Sequence, residues 1–243
     1  EVRIDSVRFD ASGNAAIALS GGISFMLLKT RITEFATMAS SSWGLPAPSS
    51  DGLKADAARA FLSALPAAAP EFGEDDDAYR FLALADETAR ATRKAIELCA
   101  RAEQSSTGLS IKLAQRGFSR QAAGAALEVL IEQGIVDDGR YAALWARHRA
   151  ERRGEGPAVV AAELRARGFR PDAVKAALED IDFGVALAKA VQRESAKLAA
   201  SLRKRGRGEA GELGDFFRDS LRASLRKQGF DADLIGDEID KLK

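Results

Sequence analysis

Few side chains in this chain are of a type that does covalent chemistry. There is one histidine, His148, and one cysteine, Cys99. His148 shares a helical face with Tyr141 and Trp145 and reads as a packing residue rather than a general base. A lone thiol forms neither an intramolecular disulfide nor a multi-thiolate metal site, and the expected home is a reducing cytoplasm. Gly21-Gly22 lacks the Lys-Ser/Thr of a phosphate loop and reads as a turn. Asp75-Asp76-Asp77 and Asp137-Asp138 have no His or spaced carboxylate companions of metal-site form, and Asp138 reads as a helix N-cap. No catalytic residue, metal or cofactor is expected, and the chain is not read as an enzyme.

The chemistry these residue types do support is anion recognition. Residues 139–171 hold eight arginines (Arg140, Arg147, Arg149, Arg152, Arg153, Arg165, Arg167 and Arg170) against three acids, and no lysine. A guanidinium forks onto carboxylate or phosphate and is weakly hydrated, which suits an interface. A second cluster, Arg203, Lys204, Arg205 and Arg207, closes a long helix, where cations also offset the helix dipole. At about 100° per residue, Tyr141, Leu144, Trp145 and His148 are expected to form the inward stripe. Arg140 and Arg147 then flank one side, and Arg149 with Arg153 the other. The plainer alternative is an ordinary solvated face.

The elements that must hold these arginines follow from patterning. The whole chain is neutral, with 36 basic and 36 acidic residues, but residues 1–86 carry a net −5 and the remainder +5. Hydrophobic residues make up 46% and aromatics only 7%, so the core is built from Ala, Leu, Val and Ile, which favours helix. Apolar runs fall short of the roughly 20 residues that span a bilayer, and a soluble protein is expected. Residues 1–39 alternate as strands (Val2, Ile4; Val7, Phe9; Ile17, Leu19; Ile23, Phe25, Leu27) and predict a small antiparallel meander with a helix near Ile32 to Met38. Residues 40–73, rich in Ser, Pro and Ala, read as a linker with a short helix.

From residue 74 onward the pattern is helical and contains an internal repeat. Leu113 to Phe118, Leu164 to Phe169 and Leu225 to Phe230 repeat one phrase, leucine followed at a fixed distance by Gly-Phe. The glycines, Gly117, Gly168 and Gly229, are predicted to stop their helices in the left-handed conformation, and Phe118, Phe169 and Phe230 to fold back onto them. Ser119, Pro171 and Asp231 start the next helices, whose predicted core residues are Ala123, Leu127, Leu130, Ile131; Val174, Ala177, Leu178, Ile181; and Ile235, Ile239, Leu242. With a third helix before each pair, the expected fold is mainly α. Three tandem three-helix repeats, 74–135, 136–182 and 183–243, would stack into an elongated, curved body.

Three phrases in and immediately before the second repeat resemble the RecX regulatory proteins of bacteria: Gly134-Ile-Val-Asp137-Asp138-Gly-Arg140-Tyr141-Ala142, Arg152-Arg153-Gly154-Glu155-Gly156-Pro157, and Glu163-Leu164-Arg-Ala-Arg167-Gly168-Phe169. The resemblance covers roughly Thr88 to Lys243. It implies a non-enzymatic modulator that lies along the RecA recombinase filament on DNA and inhibits ATP hydrolysis and strand exchange in recombination and SOS repair. DNA contact, single- or double-stranded, would be weak and salt-dependent alone, with no membrane partner and a monomeric state. From the residues alone, a direct nucleic-acid binder and a non-catalytic scaffold remain the other readings.

Overall fold

In the computed structural model of the chain, described for residues 1–46, 55–205 and 210–241 (side chains at 55, 204–205 and 210–213 excepted), a small sheet precedes a run of helices. Two compact units result, Glu1–Val136 and Asp137–Lys243.

In the first unit, strand β1 (Ile4–Phe9), β2 (Ala15–Leu19) and β3 (Ser24–Leu27) form an antiparallel meander in that order. The Asp10 carboxylate closes the first turn by accepting from the Asn14 amide at 2.8 Å and its side-chain nitrogen at 2.9 Å. Ala15, Ile17, Leu19 and Leu27 bury one face of the sheet beneath helices α1 (Ile32–Trp43), α2 (Ala55–Ala68) and α3 (Asp77–Arg101). Edge strand β3 is tied to α3, since the Met26 amide donates to the Asp86 carboxylate at 3.1 Å.

The expected linker at 40–73 is corrected here, because much of it belongs to this core. Ala58, Leu62, Leu65 and Phe72 are buried in it, and Phe72 pairs with Val2 through two backbone hydrogen bonds of 2.8 and 2.9 Å. Pro and Ser set its composition, but the four-residue spacing of Ala58 and Leu62 makes an apolar helix stripe that must be covered. Residues 47–54 lie outside the described residues.

Helix α3 serves two cores. Its first half buries Leu82 and Ala85 against the sheet core; its second half buries Ala95 with Leu109 and Leu113 of α4 (Ser106–Ala114), Ala123 and Leu130 of α5 (Arg120–Glu132), and Val136. Ile131, expected inward, is exposed instead.

The second unit contains two further helical triplets. Helices α6 (Asp138–His148), α7 (Pro157–Ala166) and α8 (Pro171–Glu179) enclose Ala142, Ala146, Val160, Leu164, Val174 and Ala177. Helices α9 (Phe183–Arg205), α10 (Ala210–Lys227) and α11 (Ala232–Asp240) enclose Leu187, Val191, Leu221, Leu225, Ile235 and Ile239. Leu242 lies outside the described residues. A single π-turn, Arg149–Arg153, continues α6 and contributes Ala150 to the second of these cores.

Each Gly-Phe corner closes its helix as a Schellman motif. The Phe118, Phe169 and Phe230 amides donate to the carbonyls of Leu113, Leu164 and Leu225 at 3.2–3.3 Å, and each preceding glycine has φ between +85° and +90°. Ser119 and Asp231 cap the following helices, and Pro171 takes a first-turn position, as the sequence predicted.

Helices α9 and α10 are linked through Glu194. Its carboxylate accepts from Arg193 at 3.2 Å, Lys197 at 2.9 Å and Ser224 at 3.1 Å. Burial, the largest single influence, raises its pKa, but the hydrogen bonds from Lys197, Ser224 and Arg193 together outweigh it and hold it below the ordinary 4.5. A carboxyl with a lowered folded-state pKa contributes stability that is present above its unfolded value and lost as pH falls through the folded one. Glu194→Gln is therefore expected to flatten the loss of stability on acidification below about pH 5. Urea midpoints across that range check it, and an unchanged acid limb would count against the link.

Candidate partner-binding surface

Helix α6 starts at an N-cap that is Asp137, whose carboxylate accepts from the Arg140 amide at 2.9 Å; Asp138, expected in that role, sits in the first turn. The inward stripe also differs from expectation. Ala142, Ala146 and Ala150 face the cores, while Leu144 and His148 are exposed, so His148 is not the packing residue predicted. Alanines at these positions let α6 lie close against α8, and larger side chains are turned out or to the sides.

The sides of α6 are locked by rings. Tyr141 stacks on Phe169 with centroids 5.9 Å apart and planes at 7°. Two guanidinium groups lie over the Trp145 ring, Arg149 at 5.1 Å and Arg167 at 4.7 Å from its centre. The Gly168-Phe169 corner is thereby fastened to α6.

Arg149 departs from its expected role. Its side chain is only 12% exposed and is charge-paired to both Glu155 and Glu163. The Arg149 Nε and Glu155 Oε2 atoms are buried 2.6 Å apart, as an ion pair outside hydrogen-bond geometry. This guanidinium holds the π-turn to α7 and leaves no free charge for a partner.

The other predicted cations are at the surface. Arg147, Arg152, Arg153 and Arg165 are exposed and have no carboxylate partner among the described residues. Arg140 is within 3.9 Å of Asp137, Arg170 pairs with Asp172 at 3.3 Å, and Arg167 is exposed over Trp145. Arg203 is exposed near the end of α9; the side chains of Lys204 and Arg205, and all of Arg207, lie outside the described residues.

One structural contact was not anticipated from the sequence. Helix α7 begins at Gly156 with no side-chain cap; its first amides are satisfied by the corner after α10, Gly156 N donating to the Gln228 carbonyl at 2.7 Å and Ala158 N to the Gly229 carbonyl at 3.1 Å. The two backbones are so close that a Cβ on Gly156 would meet the Gly229 carbonyl carbon at 2.4 Å. Arg193 reinforces the junction, donating to the Arg153 carbonyl at 2.5 Å and to Gln228 Oε1 at 2.8 Å. The only local signal was the Gly154/Gly156 pair before Pro157, which reads equally well as a plain helix start.

Fold and surface together define a protein of tandem three-helix modules whose middle module is rich in arginine. Residues 137–178 match the family model described as RecX, second three-helix domain. The chain is 35% identical over 144 residues to the regulatory protein RecX of Halorhodospira halophila, covering 58% of this chain and 81% of that one. It is 34% identical over 143 residues to the regulatory protein RecX of Xanthomonas campestris, covering 59% and 82%. A crystal structure of regulatory protein RecX superposes with a TM-score of 0.65 at 18% identity over 99% of this chain and 100% of that one. RecX from Lactobacillus salivarius superposes at 0.55 and 20% identity over 65% and 97%. The chain belongs to the RecX family of regulatory proteins.

Proposed function

We propose that this chain binds the filament a RecA recombinase forms on DNA and restrains its ATP hydrolysis and strand exchange, without catalysing a reaction itself. Family membership supports a regulatory role. The observation that carries the reading furthest is the set of exposed arginines on the middle module, Arg147, Arg152, Arg153 and Arg165, whose charge no carboxylate answers among the described residues. A filament repeats acidic and phosphate groups along its length, and several weak charged contacts to it add through multivalency.

The test is a RecA ATPase and strand-exchange assay with and without the protein. Wild type is expected to inhibit both. Arg147→Ala combined with Arg152→Ala and Arg153→Ala is expected to raise the half-inhibitory concentration about tenfold, three exposed charges at about 0.5 kcal/mol each, with a shallower salt dependence. Arg149 is left intact in this variant because its loss would disturb the fold. Inhibition unchanged by the triple substitution would defeat the assignment to this face. Tight binding of wild type to duplex DNA without recombinase, and no effect on RecA, would favour direct nucleic-acid binding instead.

A further inference from the structure

The outer face of α6 carries an apolar side chain where a solvated helix would carry a polar one. Leu144 is 51% exposed. It stands one helical turn from Arg140, Arg147 and His148, on the side opposite the buried Ala142 and Ala146. The helix is not free to rotate and hide it, because Tyr141 is stacked on Phe169 and the Trp145 ring is in contact with both Arg149 and Arg167. A single exposed leucine is unremarkable by itself. Its setting is what matters.

That setting has the composition of a protein interface. Every cation between residues 139 and 171 is arginine. A phosphate backbone is neutralised by lysine as readily as by arginine, whereas protein interfaces enrich Arg and Trp and deplete Lys. A leucine also gains nothing from a phosphate and gains most from an apolar recess.

We propose that the outer face of α6 docks on an acidic protein surface, Leu144 entering an apolar recess and Arg147 meeting carboxylates on its rim. Anchors one turn apart on one helix face are the usual form of helix-in-groove recognition. The inference rests on the function proposed above and deepens it: this face meets the protein of the filament, and its DNA is met elsewhere.

The experiment compares the wild-type chain with Leu144→Ser and Leu144→Met on RecA assembled on single-stranded DNA, reading ATPase inhibition at two salt concentrations. Binding to naked single-stranded and duplex DNA is measured in parallel. Leu144→Ser is expected to raise the half-inhibitory concentration about tenfold while leaving the salt slope and naked-DNA binding at their wild-type values. Leu144→Met, which keeps the apolar bulk, is expected to stay within about twofold of wild type. Because the side chain is half exposed, all three proteins should stay folded, with the thermal midpoint of Leu144→Ser lowered only by the small cost of serine in a helix. Equal inhibition by Leu144→Ser and wild type overturns the inference alone. A parallel loss of naked-DNA binding overturns it in favour of a nucleic-acid contact. A wild type that leaves RecA unaffected defeats the proposed function, and this inference with it.

Discussion

Alanine at Gly229 is expected to destabilise the 137–243 unit far more than alanine at Gly168 does, although the two glycines have nearly the same backbone conformation. Their φ values are +88° and +90°. Leaving glycine in the left-handed region costs about 1–2 kcal/mol in either place. At Gly168 nothing lies within 4 Å of the added carbon, so that is the whole effect. At Gly229 the carbon would lie 2.5 Å from the Val159 amide nitrogen and 2.8 Å from Val159 Cγ2. Backbone on one side of the overlap and backbone on the other leave no rotamer to turn. Relief requires α7 to move off the corner, which breaks the Gly156–Gln228 and Ala158–Gly229 hydrogen bonds. Overpacking of this kind adds about 1–3 kcal/mol or more. Gly156→Ala meets the same contact from the other side, but at φ −79° it carries only the overlap and not the left-handed cost.

The two tryptophans make the comparison measurable, since Trp43 lies in the first unit and Trp145 in the second. In a Trp43→Phe background, Trp145 fluorescence during urea unfolding follows the second unit. Gly229→Ala should lower its midpoint well below that of Gly168→Ala, and Gly156→Ala should be less destabilised than Gly229→Ala. Equal midpoints for Gly168→Ala and Gly229→Ala would mean the junction between these modules does not bear on their stability.

Arg149→Ala is expected to lose about 2–3 kcal/mol of stability in the same unit, against less than about 0.5 kcal/mol for Arg147→Ala two residues earlier. Removing the guanidinium leaves Glu155, 17% exposed, and Glu163, 38% exposed, without their cation. It also removes one of the two guanidinium contacts on the Trp145 ring. A fully buried pair broken in this way loses about 3–5 kcal/mol, and the partial exposure of Glu163 lowers the figure. Arg149→Lys should recover little, because one ammonium cannot fork across two carboxylates and stack on an indole at once. Thermal midpoints of the three variants decide the matter. Wild-type stability in Arg149→Ala, accompanied by weaker inhibition of RecA, would make Arg149 a partner contact after all.

Much of this architecture was legible in the amino-acid order because it depends on short-range rules. Alternation of Ile and Val against polar residues made the meander, and the leucine-to-Gly-Phe phrases made the corners. A left-handed residue without a Cβ ends a helix whatever surrounds it, and Ser, Asp or Pro starts the next one for equally local reasons. The cation-rich character of residues 139–171 is likewise a matter of composition.

What composition could not decide was which cation points where. Leu144 reads as a core residue in sequence because it is large and apolar, whereas close helix approach favours Ala142 and Ala146, with Trp145 packed at the edge of that core. Arg149 is neutralised by Glu163, fourteen positions away, and Gly156 meets Gly229 across seventy-three; periodicity carries no information at such separations. Residues 40–73 read as a tether in sequence because Pro and Ser are common there, yet Leu62, Leu65 and Phe72 find a sheet to cover. Sequence alone therefore determined the helical modules, their caps and the presence of an arginine-rich middle. Only the tertiary structure, by packing small residues inward and bringing distant carboxylates to one guanidinium, decided which of those arginines stay exposed and without a carboxylate among the described residues.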